Sequence, residues 1–246
     1  MTRDGWREVD ADEEPGRSSA AKSLTRHSAA RAYPRPAVDV VLFRVAPGQL
    51  ETLVVKIRRG PLRGRWAFPG GRIARGEPLE AAVRREIRSH VASQDLYVEQ
   101  LFTFGEPTRD PAAHVISTTY LGLLATDGPP GAPGDKYSES AWVDVRYLPR
   151  LAYDHDLVAR IALERLRAKL SHTNVAYGLM APEFTIAELQ RLYEVVLERP
   201  FDRRNFRKKL LSSGLLHSLR RRRVGPHRPA ALYAFRDRHL RWLAGI

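Results

Sequence analysis

Glu86, Ser89 and His90 fall at i, i+3 and i+4 of a segment whose apolar residues Leu79, Ala82, Val83 and Ile87 recur at helical spacing, so the three polar groups share one helix face. A carboxylate, a hydroxyl and an imidazole on one face invite metal chemistry and also limit it. Magnesium takes a near-octahedral set of hard oxygens, to which this face offers one carboxylate. Glu86 and His90 alone make a two-ligand pair for a transition metal, too few for a site, and His90 is expected to face solvent. No catalytic residue and no metal site is assigned. A second constellation lies near the end of the chain. Arg203, Arg204, Asn205, Arg207, Lys208 and Lys209 crowd one helical segment, and Arg220, Arg221, Arg222, Arg223 and Arg228 follow it. Arginine forks onto guanine and asparagine onto adenine in the major groove, and arginine-rich loops grip phosphates, so this pattern suits duplex DNA.

The elements that position these groups are legible in outline. Residues 37–43 and 50–57 predict two strands joined at Pro47-Gly48, followed by a turn-rich loop over 64–71 and a helix with Leu79, Ala82, Val83 and Ile87 as its apolar stripe. Further strands are expected at 98–104, 114–124 and 141–144, a Pro/Gly loop at 127–134, and a helix over 156–170 that places Val158, Ile161, Ala162, Arg165 and Leu166 near one face. Ala181-Pro182 marks a boundary. Beyond it, Thr185-Ile186-Ala187-Glu188 has capping-box spacing, with Phe184 and Leu189 placed as a hydrophobic staple, for a helix ending near Leu197. Asp202 caps a second helix, with Phe206, Leu210 and Ser213 on its inner side, Arg204 and Lys208 outward, and Gly214 at its end. Two short strands flanking 220–228 complete a winged helix-turn-helix. The expected division is a disordered tail over 1–36, a ligand-binding domain over 37–180 and a DNA-binding domain over 181–246.

Composition narrows the function classes. The 246 residues carry 43% hydrophobic content, enough for a substantial core, and no apolar run approaches membrane-spanning length or forms a signal peptide. There is no cysteine, which excludes disulfides and thiolate metal sites and fits a cytoplasmic setting. The net charge is +13, and residues 181–246 hold 15 Lys+Arg against 6 Asp+Glu, so +9 of it sits in the last quarter of the chain. That asymmetry points to a polyanion partner.

The run from Gly71 through Glu77 to Arg85-Glu86-Ile87 resembles the Nudix box, G-x5-E-x7-R-E-U-x-E-E-x-G-U with U aliphatic. It departs from it where the pattern's adjacent glutamates fall on Ser89 and His90 and its following glycine on Ala92. Together with Phe104–Pro111, Ala152–Asp156, Glu183–Glu194 and Asp202–Leu211, the chain from about Val38 to its end resembles the Nudix-related transcriptional regulators of bacterial NAD metabolism. The resemblance implies an α+β protein: a Nudix-like α/β/α sandwich with a mixed sheet, followed by the winged helix-turn-helix. It further implies a homodimeric repressor of NAD synthesis or salvage genes on a palindromic operator, with ADP-ribose or NAD as effector and no cofactor required. Effector binding is then expected at Arg58, Arg59, Trp66, Phe68, Gly70, Gly71, Arg85, Glu86, Arg109 and Asp110. Here Arg85 and Glu86 either touch the ligand or brace the loop beneath it, and Trp66 and Phe68 either stack on a base or pack in the core. Two rival readings are an active ADP-ribose pyrophosphatase using Glu77 and Glu80 as substitute ligands, and a Nudix domain that serves only as a dimerisation platform.

Overall fold

The computed structural model describes residues 33–46, 48–91, 96–125, 128–224 and 229–243. In chain order the first elements are β1 (Arg35–Ala46), β2 (Gln49–Ile57), β3 (Trp66–Ala67), β4 (Gly70–Arg72), α1 (Leu79–Arg88), β5 (Tyr97–Phe104), β6 (Val115–Leu123) and β7 (Tyr137–Asp144). There follow α2 (His155–His172), α3 (Ile186–Leu197), α4 (Arg203–Ser212), β8 (Leu216–Arg223) and β9 (Ala230–Phe235). Most of the expected tail, residues 1–32, lies outside the described residues, and Arg35 and Pro36 already belong to β1.

One mixed sheet organises residues up to β7. Its order is β3-β2-β1-β6-β5, with β4 on β1 and β7 on β2. The hairpin of β1 and β2 is antiparallel, whereas β1 and β6 run parallel from Arg35↔Val115 to Phe43↔Leu123. Alternation along β1 explains why both faces are covered. Val38, Val40 and Leu42 point to one side and pack on Ala82, Val83 and Ile87 of α1. Val41 and Phe43 point to the other and join Val158, Ala162, Leu166 and Leu170 of α2. Asp39 sits on the α2 side of the strand and is buried.

The α2-side cluster continues without interruption into Leu189, Leu192, Tyr193 and Val196 of α3 and Phe206 and Leu210 of α4. The two segments therefore share one core. The α3 start has both reciprocal bonds of a capping box, Glu188 N to Thr185 Oγ1 at 3.2 Å and Thr185 N to Glu188 Oε2 at 2.7 Å, worth about 1 kcal/mol. Asp202 caps α4 through Asn205 N at 2.8 Å, and Gly214 follows at φ +70. β8 and β9 form the wing, to which Phe184 adds a two-bond bridge with Tyr233. No helix among the described residues is long and apolar enough to cross a membrane.

Four local expectations are corrected. The 64–71 stretch contains β3, which pairs with β2, and the start of β4, where Gly70 and Gly71 pair with Asp39 and Val38 of β1. A side-chain carbon at Gly70 would collide with the Asp39 carboxylate and the Val38 carbonyl, so this close approach demands glycine. β7 starts four residues early, at Tyr137, since its register with β2 runs past the sequence's apolar signal to Ile57. Ser213 is exposed rather than on the inner face of α4 and donates its hydroxyl to Leu210 O at 2.7 Å. Arg220 to Arg223 lie within β8 rather than between the strands. The turn residue Pro47 and the loop residue Asp127 lie outside the described residues.

Candidate functional site

Helix α1 ends at Arg88 with Ser89 as its C-cap, so Ser89 and His90 lie beyond it and the three polar groups do not share one helix face. Glu86 is buried, and its carboxylate accepts hydrogen bonds from Lys136 Nζ at 2.7 and 2.8 Å and from Arg85. Ser89 is exposed and turns its hydroxyl onto Glu86 O at 2.7 Å. The expectation of a solvent-facing His90 is wrong. The imidazole is 1% exposed, because the Pro/Gly segment folds over it and Gly131 N bonds to His90 O at 2.6 Å, while the Tyr137 ring lies 5.6 Å away. Neither ring nitrogen has a hydrogen-bond partner among the described residues. Burial, helped by Lys136 and opposed by Glu86, holds the imidazole below its ordinary pKa, so it is neutral at pH 7.

A divalent cation does not fit this donor set. The one carboxylate of the face is already held by two cations, the hydroxyl faces away and the imidazole is closed off. No group of three or more potential protein ligands is gathered for a metal among the described residues. Ala92, at the glycine position of the box, lies outside them.

Arg85 is a brace. Its Nε and Nη2 bind Glu77 at 2.8 and 2.9 Å, and Nη2 also reaches Arg72 O at 3.0 Å. Glu77 accepts in addition from Ala74 N at 2.8 Å, and these bonds, led by Arg85, draw its pKa down to about 2. The carboxylate proposed as a substitute metal ligand is therefore spent on fixing the loop before α1.

Above this loop opens a cavity of about 740 Å³, within the range of nucleotide-sized pockets. Of the expected ligand residues, Arg59, Phe68, Gly70, Gly71, Arg85, Arg109 and Asp110 line it. Arg58, Trp66 and Glu86 fall outside the lining: Arg58 N bonds to Lys136 O at 3.1 Å, Trp66 carries Lys56 Nζ 5.3 Å above its ring, and Glu86 lies behind Lys136. Phe68 serves packing and lining together, stacked at 5.4 Å on His155.

The cavity floor is an ionic cluster that sequence reasoning missed. Arg109 is buried and grips Asp154 bidentately at 2.6 and 2.9 Å, reaching Asp39 at 3.3 Å. Ser117 Oγ donates to Asp39 at 2.6 Å. Burial alone would push the Asp39 carboxyl up, but His155, Ser117 and Arg109 together hold it below the usual carboxylate range. Phe68 N donates to His155 Nδ1 at 2.9 Å, which leaves Nε2 as the nitrogen that faces Asp39, 3.5 Å away. Tyr153, a non-glycine residue at φ 57, tilts over His155 at 5.1 Å and completes this wall. Tyr137 pins the rim by donating to Gly70 O at 2.8 Å and accepting from Gly70 N at 3.1 Å. Asp39 and His155 left a trace in the sequence, as a charge interrupting an apolar strand and as part of Tyr153-Asp154-His155. Lys136 left none.

The winged helix presents a different surface. Arg203, Arg204, Asn205, Arg207, Lys208 and Lys209 are all exposed on α4, over the buried Phe206 and Leu210. Arg204, Lys208 and Lys209 have no ion pair among the described residues, and Arg207 reaches Tyr233 Oη of the wing at 3.4 Å. Along β8 the arginines divide. Arg221 turns back to Glu183, ahead of α3, and Arg223 to Glu188 in its first turn, whereas Arg220 and Arg222 have no ion pair among the described residues. Arg228 lies outside the described residues.

A mixed-sheet α/β/α sandwich with a box helix, a nucleotide-sized cavity and a winged helix define a Nudix domain joined to a DNA-binding module. Residues 33–166 match the NUDIX domain family, and residues 176–235 match the family described as NrtR DNA-binding winged helix domain. The chain is 30% identical over 210 residues to the ADPR responsive transcriptional repressor NtrR of Acinetobacter baylyi, covering 82% of this chain and 83% of that one. It therefore belongs to the NrtR family of Nudix-related transcriptional regulators. Among solved structures it is similar to Shewanella oneidensis NrtR complexed with a 27mer DNA, at 30% identity and TM-score 0.70 over 81% of this chain and 93% of that one. It is also similar to the NUDIX domain of the same protein complexed with ADP ribose, at 32% identity and TM-score 0.50 over 55% of this chain and 89% of that one.

Proposed function

We propose that this protein is a DNA-binding transcriptional repressor of NAD synthesis or salvage genes, whose Nudix domain, residues 37–180, binds ADP-ribose or a related NAD metabolite as effector. Residues 181–246 hold the operator. The protein acts as a homodimer on a palindromic site, the protein two-fold matched by that of the DNA. The observation that carries this reading is the continuous core. The cavity and the basic helix α4 rest on one hydrophobic cluster, so a ligand that shifts α2 is felt by the winged helix. The similarity to an ADPR-responsive repressor, and to relatives solved with DNA and with ADP ribose, supports the same assignment.

Hydrolysis is impaired in this reading, because Glu86 is the one box carboxylate left on the metal face and Glu77 is committed to Arg85. The purified protein should select a palindrome from a random duplex library and turn over ADP-ribose with magnesium or manganese well below about 1 per second, the low end of ordinary enzymes. Turnover at or above that rate removes the claim of impairment. Failure to enrich any duplex sequence removes the repressor.

A further inference from the structure

Lys136 sits on the carboxylate of Glu86, the one glutamate left on the box's metal-binding face. Its ammonium lies 2.7 and 2.8 Å from the two oxygens of Glu86 and 3.2 Å from Gly70 O, over the backbone of Gly71. A side-chain carbon at Gly71 would collide with both the Glu86 carboxylate and this ammonium, so the glycine is what lets them meet. The Glu86 side chain is 3% exposed and the Lys136 side chain 52% exposed, and Lys136 lines the cavity. One face of the ammonium is thus anchored on a buried carboxylate and the other looks at the ligand space. Two of its three donors go to Glu86, while the long third bond to Gly70 O is one that a phosphate oxygen can replace.

A magnesium ion entering here would have to displace Lys136 and Arg85 from Glu86, and would gain a single carboxylate in exchange. The charge the metal would bring to a diphosphate is instead supplied by the chain. Arg59 and Arg72, which have no side-chain ion pair among the described residues, stand on the same cavity wall. We infer that Lys136 is a resident cation that takes the place of the divalent metal, so that a nucleoside diphosphate ligand is held through the Lys136 ammonium without magnesium. The inference deepens the effector reading of the Nudix domain and rests on it for the identity of the ligand.

Calorimetry with ADP-ribose on the full chain, in chelator and in excess magnesium, tests it against Lys136→Met and Lys136→Arg. Wild-type affinity should be the same in both buffers. Lys136→Met should lose about tenfold to hundredfold, the worth of one charge-assisted hydrogen bond, and Lys136→Arg should keep most of the affinity. Unchanged binding by a folded Lys136→Met, or wild-type binding that requires magnesium, overturns the inference. A second readout depends neither on the ligand nor on the Lys136 variants: the resonance of free manganese titrated with wild-type protein. No uptake at millimolar metal supports Lys136 as the occupant, and uptake that Glu86→Gln abolishes overturns it. Absence of ADP-ribose binding in both buffers would fell the effector reading alone, with the manganese titration still deciding what holds the cation position.

Discussion

The cavity and the winged helix are both rich in cations, but they use them in opposite ways. In the cavity, Arg85, Arg109 and Lys136 are each tied to carboxylates, Arg109 to two of them with only 4% of its side chain exposed. On α4, Arg204, Lys208 and Lys209 are exposed and unpaired among the described residues. A fixed, paired cation presents charge at a defined point and loses little side-chain freedom when a small ligand arrives. A free one is suited to a polyanion, where the gain comes from released counterions and the geometry is read by the few side chains that reach base edges. The floor of the cavity is thus built from charges already spent on each other, with Arg59 and Arg72 unpaired on its wall among the described residues, whereas α4 presents charges left over.

The sharpest way to break this contrast is to remove a paired cation. Arg109→Ala leaves Asp39 and Asp154 without their cation at the cavity floor and should cost about 3–5 kcal/mol of stability, read by denaturant unfolding. A loss below about 1 kcal/mol, the range of surface pairs, would show that the cluster is not the structural floor described here.

Removing a free cation should leave the fold intact and damage recognition. Arg204→Ala should lower operator affinity by about 1–3 kcal/mol per half-site and affect unrelated DNA much less. The wing sharpens the comparison, because its arginines divide between the two modes. Arg222→Ala should weaken operator and random DNA alike and flatten the salt dependence by about one unit of slope. Arg223→Ala, already paired with Glu188, should change that slope far less. Equal slopes for the two variants would mean that the paired arginine lets go of Glu188 to reach phosphate.

Much of this was legible in the sequence where the signals are local. The β1–β2 hairpin, the Thr185 capping box and the Asp202 cap each depend on residues within a few positions of one another, and each is present. What was not legible depends on distant segments. Lys136 reaches Glu86 from fifty positions away across a Pro/Gly loop that carries no periodicity. His90 is buried because that same loop covers it, whereas a lone histidine with no complete ligand set reads as solvent-facing. Arg109 reads as a ligand contact in its loop, and only the return of α2 brings Asp154 to it. The run 220–228 reads as a segment flanked by two short strands, although pairing with β9 extends β8 through Arg223.

The smallest effect is expected at His90. With no partner for either ring nitrogen among the described residues, His90→Leu should raise stability at neutral pH by on the order of 1 kcal/mol. Burial holds the folded imidazole below its ordinary 6.5, so as pH falls through 6.5 the unfolded chain takes up the proton first. The contribution is fully present above 6.5 and is lost as pH falls toward the folded value. The advantage of His90→Leu in thermal midpoint should therefore be larger at roughly pH 5.5 than at roughly pH 7.5. A constant advantage would show that His90 titrates alike in both states.

The central claim, that one core couples a metal-free ligand cavity to a DNA-reading helix, is tested most directly by measuring operator affinity by fluorescence anisotropy in chelator, with and without saturating ADP-ribose. The account predicts a change of at least about fivefold, the lower end of ordinary allosteric coupling, and an equal change in ADP-ribose affinity when the operator is bound. Operator affinity that is the same with and without ADP-ribose would contradict it.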